Sequence, residues 1–374
     1  MSRRKAGWFS AFSTLSRIAT KNSRRVGRTV GTSIRKAVTK AVSKAVVAQV
    51  AKIGKTNRRV LTGVASPAGV PSSRGSGRWI EGRWAFGPLQ HCKYQLFIPS
   101  GISASRPAPL LVLLHGCGQD AASFAVSTRA AAIARSAGCV VLLPEQSSQA
   151  NGQRCWNWFR SEAQVAAEAM LLMSLIEHIC STQPVRRERV SALGISAGGT
   201  MALTLALRFP ENFVAVGTHS GAVPHSAINL LQATQAMHGR RLPNTLALRK
   251  RLAGRQLPPL IVLHGDADSV VSFVNARASV DLWLNLLPQG LAKPGNTRTV
   301  QRGARKPYDV TDWKLGARTV VRLVSIAGLG HAWSGGAPKQ AFSDTSGPDA
   351  LKIALRFFSE SVPLSRKKSS SQSR

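Results

Sequence analysis

The chain has 374 residues, of which 51 are lysine or arginine and 16 are aspartate or glutamate, giving a formal net charge of +35. This length fits one large domain with an appendage or two ordinary domains, and a hydrophobic content of 44% suffices for a core. Five cysteines without a Cys-x-x-Cys pair exclude a small disulfide scaffold and a thiolate zinc site. The charge predicts attraction to polyanions.

Residues 1–78 are predicted to be a basic, helical or disordered extension that ends in a linker. Residues 1–80 contain 18 lysines and arginines and no acidic residue. Lysines recur every four residues beside a valine stripe, which predicts an amphipathic helix over Ser33–Lys55. The glycine- and proline-rich stretch Pro67–Gly77 is typical of a linker. This extension predicts a partner such as an anionic granule, a membrane surface or nucleic acid.

The same segment bears on localisation. No stretch reaches the roughly 18 apolar residues that a membrane span needs. The arginines at Arg3 and Arg4 resemble a twin-arginine export signal, but no secretory apolar region and cleavage site follow them. We therefore expect a cytoplasmic protein, associated with a granule if the extension binds one, and keep export as the alternative.

Residues 79–362 alternate between short apolar runs and helical patterns, which is typical of a parallel sheet covered by helices. The predicted strands are Tyr94–Pro99, Pro109–His115, Cys139–Pro144, Val190–Ile195, Phe213–His219, Leu260–His264 and Thr319–Ile326. The predicted helices are Ala121–Ala137, Glu162–Cys180, Ala197–Phe209, Phe273–Leu287 and Pro348–Phe358. Residues 238–258 and 288–318 are predicted to be insertions or lid-like loops, and residues 363–374 a disordered basic tail.

One strand-to-helix junction predicts a nucleophile. The run Val190–Ile195 leads into Gly194-Ile195-Ser196-Ala197-Gly198, and a helical pattern follows. Glycines two residues before and after the serine allow the sharp turn that presents its hydroxyl to solvent. The next amide, that of Ala197, lies at a helix N-terminus and is predicted to bind an oxyanion.

A serine nucleophile needs a base and a carboxylate that orients the base, and in this fold they follow in the order acid, then histidine. His331 comes after a glycine-rich turn and is predicted to be the general base. Asp268 is preferred over Asp266 as the acid because it lies further along its turn, while Asp266 is predicted to brace that turn. His115 and His264 are predicted to support loops.

Two further loops complete the predicted site. The glycine-flanked amide of Cys117 is the second oxyanion donor candidate. The aromatic segment containing Trp156 and Trp158 is predicted to wall a cleft for an acyl or aromatic group, with a buried hydrophobic plug as the alternative. Whether Cys117 and Cys155 form a disulfide stays open at this stage.

The segments that carry these predictions resemble a known family. They are Leu114–Gln119, Cys155–Phe159, Gly194–Gly199, His264–Asp268 and Gly330–Gly336. Together they look like the polyhydroxybutyrate depolymerase family of esterases, related to feruloyl and acetylxylan esterases, over about Trp84–Phe358.

The resemblance implies an α/β-hydrolase fold, a mostly parallel sheet with helices on both faces. It implies the triad Ser196, Asp268 and His331, and oxyanion donors at Cys117 and Ala197. Trp333, two residues after His331, is a further predicted substrate-binding residue. The expected function is a serine esterase that needs no metal or organic cofactor and acts on poly- or oligo(3-hydroxyalkanoate).

Two alternatives to this function stay open. The first is a feruloyl, acetylxylan or short-chain carboxylesterase. The second, of another class, is a polyanion-binding protein with a vestigial hydrolase domain. The sequence sets no oligomeric state.

Overall fold

The computed structural model describes residues 77–86, 90–287 and 292–362. The predicted basic helix, the linker up to residue 76 and the predicted tail lie outside these residues.

The described strands and helices follow the predicted α/β alternation. The strands are β1 Arg78–Phe86, β2 Gln90–Ile98, β3 Ala108–Leu114, β4 Val140–Glu145, β5 Val185–Ile195, β6 Ala215–His219, β7 Leu260–Gly265, β8 Lys293–Pro294, β9 Arg298–Val300, β10 Tyr308–Leu315, β11 Arg318–Ile326, β12 Trp333–Ser334 and β13 Ser343–Asp344. The α-helices are α1 Ala121–Ser127, α2 Ala130–Ala137, α3 Glu162–Thr182, α4 Ala197–Arg208, α5 Leu230–Met237, α6 Thr245–Leu252, α7 Val274–Leu286 and α8 Ala350–Glu360. A short 3₁₀ helix covers Pro210–Asn212.

One mixed sheet organises these elements in the order β1-β2-β4-β3-β5-β6-β7-β11-β10-β8, with β9 also paired to β10. The central strands from β4 to β11 are parallel, and the outer pairs are antiparallel. The carboxyl ends of parallel strands lie at one edge of a sheet, which is where α/β folds hold their ligands. The loops after β3, β5, β6, β7 and β11 therefore meet at one edge.

The core lies on both faces of this sheet. Alternate residues of β3 belong to different apolar clusters, with Leu110 and Val112 in one and Leu111 and Leu113 in the other. Helices α3 and α4 cover the first face, and helices α1, α2 and α8 cover the second. A strand that is buried on both faces must be apolar throughout, which explains its continuous hydrophobic run. The predicted α/β-hydrolase architecture is confirmed.

Helix α3 is 21 residues long and is, by length and composition only, apolar enough to cross a membrane. It packs against the sheet with Ala169, Leu172 and Ile176 in the core. The core helix of a folded domain meets the same criterion.

The prediction of a single helix over Ala121–Ala137 is wrong, because a turn separates α1 from α2. Arg129 adopts a left-handed conformation with φ of 56°. Its guanidinium binds the Gly335 carbonyl at 2.6 Å and the Asp349 carboxylate at 2.7 Å. These two contacts, with residues more than 200 positions away in the sequence, stabilise the turn between the two helices.

The prediction that residues 238–258 and 288–318 form loops is also partly wrong. Helix α6 lies in the first, capped by the Asn244 side chain. Strands β9 and β10 lie in the second and extend the sheet. Strand β10 alternates buried Tyr308 and Val310 with exposed Asp309, the period-two pattern of a strand with one face exposed.

Candidate active site

Ser196 lies at the sharp turn between β5 and α4. Its backbone has φ of 55° and ψ of −123°, a strained conformation for a residue with a side chain. A Cβ on Gly194 would lie 2.3 Å from the carbonyl carbon of Gly198, and one on Gly198 would lie 2.2 Å from the Leu114 oxygen. Both glycines are therefore required by close backbone contacts, which explains their spacing around the serine.

We expect Gly198→Ala to lower the free energy of unfolding by about 1–3 kcal/mol and to displace Ser196, because the methyl group would collide with backbone atoms. Esterase activity should fall with it. Gly152→Ala is the matched control, since a Cβ there meets no atom within 4 Å. Chemical denaturation and hydrolysis of p-nitrophenyl butyrate measure both effects. Equal stability and activity in the two variants would contradict the steric account.

Asp268 and His331 form a hydrogen-bonded pair across two loops. Nδ1 of His331 lies 2.8 Å from Oδ2 of Asp268, at the ends of β11 and β7 respectively. The other carboxylate oxygen of Asp268 accepts hydrogen bonds from the amides of Val270 and Val271, both at 2.9 Å. This arrangement fixes the carboxylate and leaves Nε2 of His331 free for proton transfer.

The electrostatics keep Asp268 charged. Burial alone would raise its pKa, but hydrogen bonds from His264 and His331, and their charges, lower it well below the usual range. His264 contacts the same carboxylate oxygen as His331, with Nε2 at 3.5 Å from Oδ2 of Asp268 and 2.8 Å from the Val271 carbonyl. His264 therefore supports this loop, as predicted.

The competing acid, Asp266, braces a different loop from the predicted one, which was its own turn. Oδ1 of Asp266 accepts a hydrogen bond of 2.7 Å from the amide of Gly328, three residues before the histidine. Asp266 thus braces the loop that carries His331.

Sequence reasoning gave no role to His219, which connects the Ser196 and His331 loops. Its carbonyl accepts the Ser196 amide at 2.9 Å, and its Nε2 lies 3.3 Å from the Ser334 amide. Complete burial, followed by the charges of His264 and His331, lowers the pKa of His219 to about 3. A neutral ring here adds no charge that would compete with His331 for Asp268.

Ser196, Asp268 and His331 thus follow strands β5, β7 and β11 at the same sheet edge. Asp268 and His331 are in contact. Among the hydrogen bonds of the described residues, none joins the Ser196 hydroxyl to the His331 imidazole. Nucleophile–base contacts in ligand-free enzymes commonly tighten when substrate binds.

The two predicted oxyanion donors are the backbone amides of Ala197 and Cys117. Ala197 is the first residue of α4, so its amide has no partner within the helix. Cys117 lies in a turn after β3, where the neighbouring Gly118 amide binds the Gln153 carbonyl at 2.8 Å. Cys117 is joined to Cys155 by a disulfide, which settles the pairing that the sequence left open. The oxyanion roles of Cys117 and Ala197 stay predictions.

The structure corrects the prediction that tryptophans wall a substrate cleft. Trp156, Trp158 and Trp333 are 1%, 5% and 1% exposed, so they pack in the core. The Trp156 indole donates to the His115 carbonyl at 3.0 Å, and Trp333 stacks on His219. The buried-plug alternative applies to Trp156 and Trp158, and Trp333 is likewise buried.

His115 has the predicted loop-supporting role. It is fully buried, with Nδ1 2.8 Å from the Gly116 carbonyl and Nε2 3.1 Å from the Gln146 amide. Burial lowers its pKa to about 4, so the ring stays neutral and accepts at Nε2.

Comparison with known proteins identifies the family of this chain. A family model described as esterase PHB depolymerase matches residues 92–301, more than half of the chain. Poly(3-hydroxyalkanoate) depolymerase C of Paucimonas lemoignei is 27% identical over 255 residues, which cover 66% of this chain and 58% of the relative. Feruloyl esterase B of Talaromyces funiculosus is 23% identical, over 63% of this chain and 68% of the relative. The chain thus spans less than two thirds of the depolymerase.

Solved structures show the same fold. An acetyl xylan esterase from Aspergillus awamori superposes with a TM-score of 0.55 at 15% identity, over 72% of this chain and 94% of that one. A dienelactone hydrolase-like promiscuous phosphotriesterase from metagenomic libraries superposes with a TM-score of 0.51 at 15% identity, over 76% and 99%. At this identity the likeness concerns the fold alone. The match of the family model over most of the described domain shows that the chain belongs to the PHB depolymerase family of esterases, within the α/β-hydrolase superfamily.

Proposed function

We propose that this protein is a serine esterase that hydrolyses carboxylic esters through an acyl-enzyme. The observation that carries the proposal is the Asp268–His331 hydrogen bond at the sheet edge where Ser196 occupies a strained, glycine-flanked turn. A serine hydroxyl is a weak nucleophile without a base, and an imidazole held by a buried carboxylate supplies that base.

In the proposed reaction, Ser196 attacks the ester carbonyl while Nε2 of His331 accepts its proton. Asp268 holds the required tautomer and stabilises the imidazolium that forms. His331 then gives the proton to the departing alkoxide, which leaves an acyl group on Ser196. Water activated by His331 attacks this acyl group, and the carboxylic acid product departs as Ser196 recovers its proton.

The amides of Cys117 and Ala197 would stabilise the negative oxygen of each tetrahedral intermediate. Such donors contribute about 3 kcal/mol each when they are fixed before the reaction. The disulfide at Cys117 supports this role, because it fixes the loop that carries one of the two amides.

For the substrate we propose a 3-hydroxyalkanoate ester, as polymer or oligomer. The similarity to the Paucimonas lemoignei poly(3-hydroxyalkanoate) depolymerase supports this choice. The similarity to feruloyl esterase B of Talaromyces funiculosus supports the second candidate, a feruloyl ester.

Rates on matched esters distinguish these substrates. We expect kcat/KM for 3-hydroxybutyrate oligomers to exceed that for feruloyl and acetylated sugar esters when the purified chain is assayed with all three. A higher value for feruloyl esters would reassign the substrate and leave the esterase proposal intact. No hydrolysis of these esters or of p-nitrophenyl butyrate would overturn the esterase proposal itself.

A further inference from the structure

Glu168 is a buried carboxyl group that the mechanism above does not use. It lies in helix α3 with an exposed fraction of 7%, on the face that also buries Val165, Ala169 and Leu172. A buried carboxyl is costly unless hydrogen bonds and charges compensate it. Its hydrogen-bond partners therefore indicate which part of the structure Glu168 supports.

Three N–H groups converge on this carboxyl. The Asn157 backbone amide donates to Oε2 at 2.6 Å, and the Asn157 side-chain amide donates to Oε1 at 3.0 Å. The Gln146 side-chain amide also donates to Oε1. A carboxylate accepts all three, whereas a protonated carboxyl or an amide side chain must spend one position as a donor.

The residues held by Glu168 are themselves attached to the loop that carries Cys117. Nε2 of Gln146 also donates to the Cys155 carbonyl at 3.0 Å, and Cys155 is bonded to Cys117. The Gln146 backbone amide binds the ring of His115 at 3.1 Å.

Two more bonds come from the same segment. The indole of Trp156, which precedes Asn157, donates to the His115 carbonyl at 3.0 Å. The Gln153 carbonyl accepts the amide of Gly118 at 2.8 Å. Residues 115–118 are thus anchored on both sides by the chain that Glu168 binds.

We propose that Glu168 is a positioning residue for the oxyanion hole: its carboxylate fixes the loop around Asn157, which through Cys155, Trp156 and Gln153 fixes the Cys117 amide. This inference assumes the proposed esterase function and deepens it. Displacement of a donor by about 1 Å can cost 10²-fold in rate, so the orientation of this loop controls the turnover number.

The charge state of Glu168 gives the proposal a pH signature. Burial raises the pKa of Glu168 from 4.5 to about 7, against the opposing hydrogen bonds from Gln146 and Asn157. The Cys92 thiol of β2 lies within the electrostatic influence of Glu168, and burial followed by that carboxylate raises the pKa of Cys92 to about 12, so the thiol stays neutral. Gln146 and Asn157 carry no charge.

As pH falls through about 7, protonation of Glu168 should raise the stability of the fold and lower the turnover number. The folded chain binds this proton more tightly than the unfolded chain, so protonation of Glu168 favours folding between about pH 7 and 4.5. The same protonation removes an acceptor from the loop and lowers turnover. A purely structural carboxyl would not lower turnover while it favours folding.

The test compares Glu168→Gln with wild type on p-nitrophenyl butyrate at pH 8. We expect kcat to fall by about 10–100-fold with KM within about twofold, because oxyanion contacts form only in the transition state. The inhibition constant of a trifluoromethyl ketone analogue, whose hemiketal oxygen occupies the oxyanion hole, should rise by the same factor. In wild type, kcat should fall at acid pH in two protonation steps, because turnover needs both an ionised Glu168 and a neutral His331. In Glu168→Gln only one of these steps should remain.

Asp312→Asn is the matched control, since Asp312 is a buried carboxyl paired with Arg322 at 2.6 Å on β10 and β11. It should lower thermal stability and leave kcat and the inhibition constant within about twofold of wild type. If Glu168→Gln behaves like this control while wild type is active, the positioning role is wrong. If wild type itself is inactive on every ester, the proposed function fails first and this inference with it.

A milder variant keeps the test decisive if Glu168→Gln does not fold. Asn157→Ala removes the side-chain N–H donor to Glu168 and the acceptor for the Asn151 side chain, and it leaves the carboxylate in place. We expect kcat to fall by about threefold or more, and the acid limb to move to higher pH because the ionised form loses a hydrogen bond. An unchanged kcat and acid limb in this variant would also overturn the proposal.

Discussion

Replacing Ser196 with alanine is expected to lower kcat for p-nitrophenyl butyrate by roughly 10⁶-fold, since the acyl-enzyme can no longer form. The fold should survive, because Ser196 is bound to the sheet through its backbone amide and alanine retains that amide. The residual rate over the uncatalysed reaction would come from substrate binding and the oxyanion donors.

Ser136→Ala provides the control for this experiment. Ser136 lies at the exposed end of α2, and its hydroxyl binds the Ile133 carbonyl at 3.0 Å. The control should keep wild-type activity, and circular dichroism should show the same secondary structure in both variants. An Ser196→Ala protein with more than about a hundredth of wild-type kcat would exclude Ser196 as the nucleophile.

Replacing Asp268 with asparagine is expected to lower kcat by about 10⁴-fold. The amide group would present a donor to His331 or to the amides of Val270 and Val271, which all need an acceptor. The imidazole would then adopt the wrong tautomer, and its charged form would lose the carboxylate that stabilises it.

Asp266→Asn is the matched control because it tests the neighbouring acid. Its Oδ1 oxygen can still accept the Gly328 amide, so we expect activity within a few-fold of wild type. Steady-state kinetics of both variants on p-nitrophenyl butyrate decide between the acids. The opposite order of effects would assign the acid to Asp266 and contradict the site described here.

The pH dependence adds a second criterion for Asp268. Since its pKa in the folded chain lies well below its usual value, its stabilising contribution is complete above the ordinary aspartate range and declines as pH falls. Asp268→Asn removes this contribution. The difference in the free energy of unfolding between wild type and Asp268→Asn should therefore become smaller as the pH is lowered.

Local chemistry explains why much of this site could be predicted from the sequence. The turn at Ser196 requires its own glycines, and its neighbouring strand and helix are continuous with it in the chain. The parallel sheet places the loops that carry Asp268 and His331 at one edge, and the order of acid before histidine is the pattern of this fold. The seven predicted strands correspond to strands of the structure for the same reason, since each is a buried apolar run.

Contacts between distant residues explain most of what the sequence did not reveal. The break at Arg129 depends on Gly335 and Asp349, and no local pattern indicates them. The tryptophans near Asn157 have the same composition whether they line a cleft or fill a core. In the structure they pack in the apolar core, and the His115 carbonyl, 41 residues earlier, accepts the buried indole N–H of Trp156.

For Glu168 the sequence contains a signal of burial, but this signal alone does not identify a role. Helical spacing places it on the same face as Val165 and Leu172, which marks it as a buried carboxyl. Its role follows only from Gln146 and Asn157, which lie 22 and 11 residues earlier in the chain. A buried charged residue on an apolar helix face therefore predicts a polar network, without identifying its partners.

The most direct measurement of the central claim is covalent labelling of the full-length chain with an alkyl fluorophosphonate, followed by peptide mass spectrometry. A serine activated by a base forms a stable phosphonate ester, whereas ordinary serines do not react. The account predicts a single adduct on Ser196, which Asp268→Asn or His331→Ala slows by orders of magnitude. An adduct on another residue, or labelling of Ser196 that is unchanged by loss of His331, would contradict it.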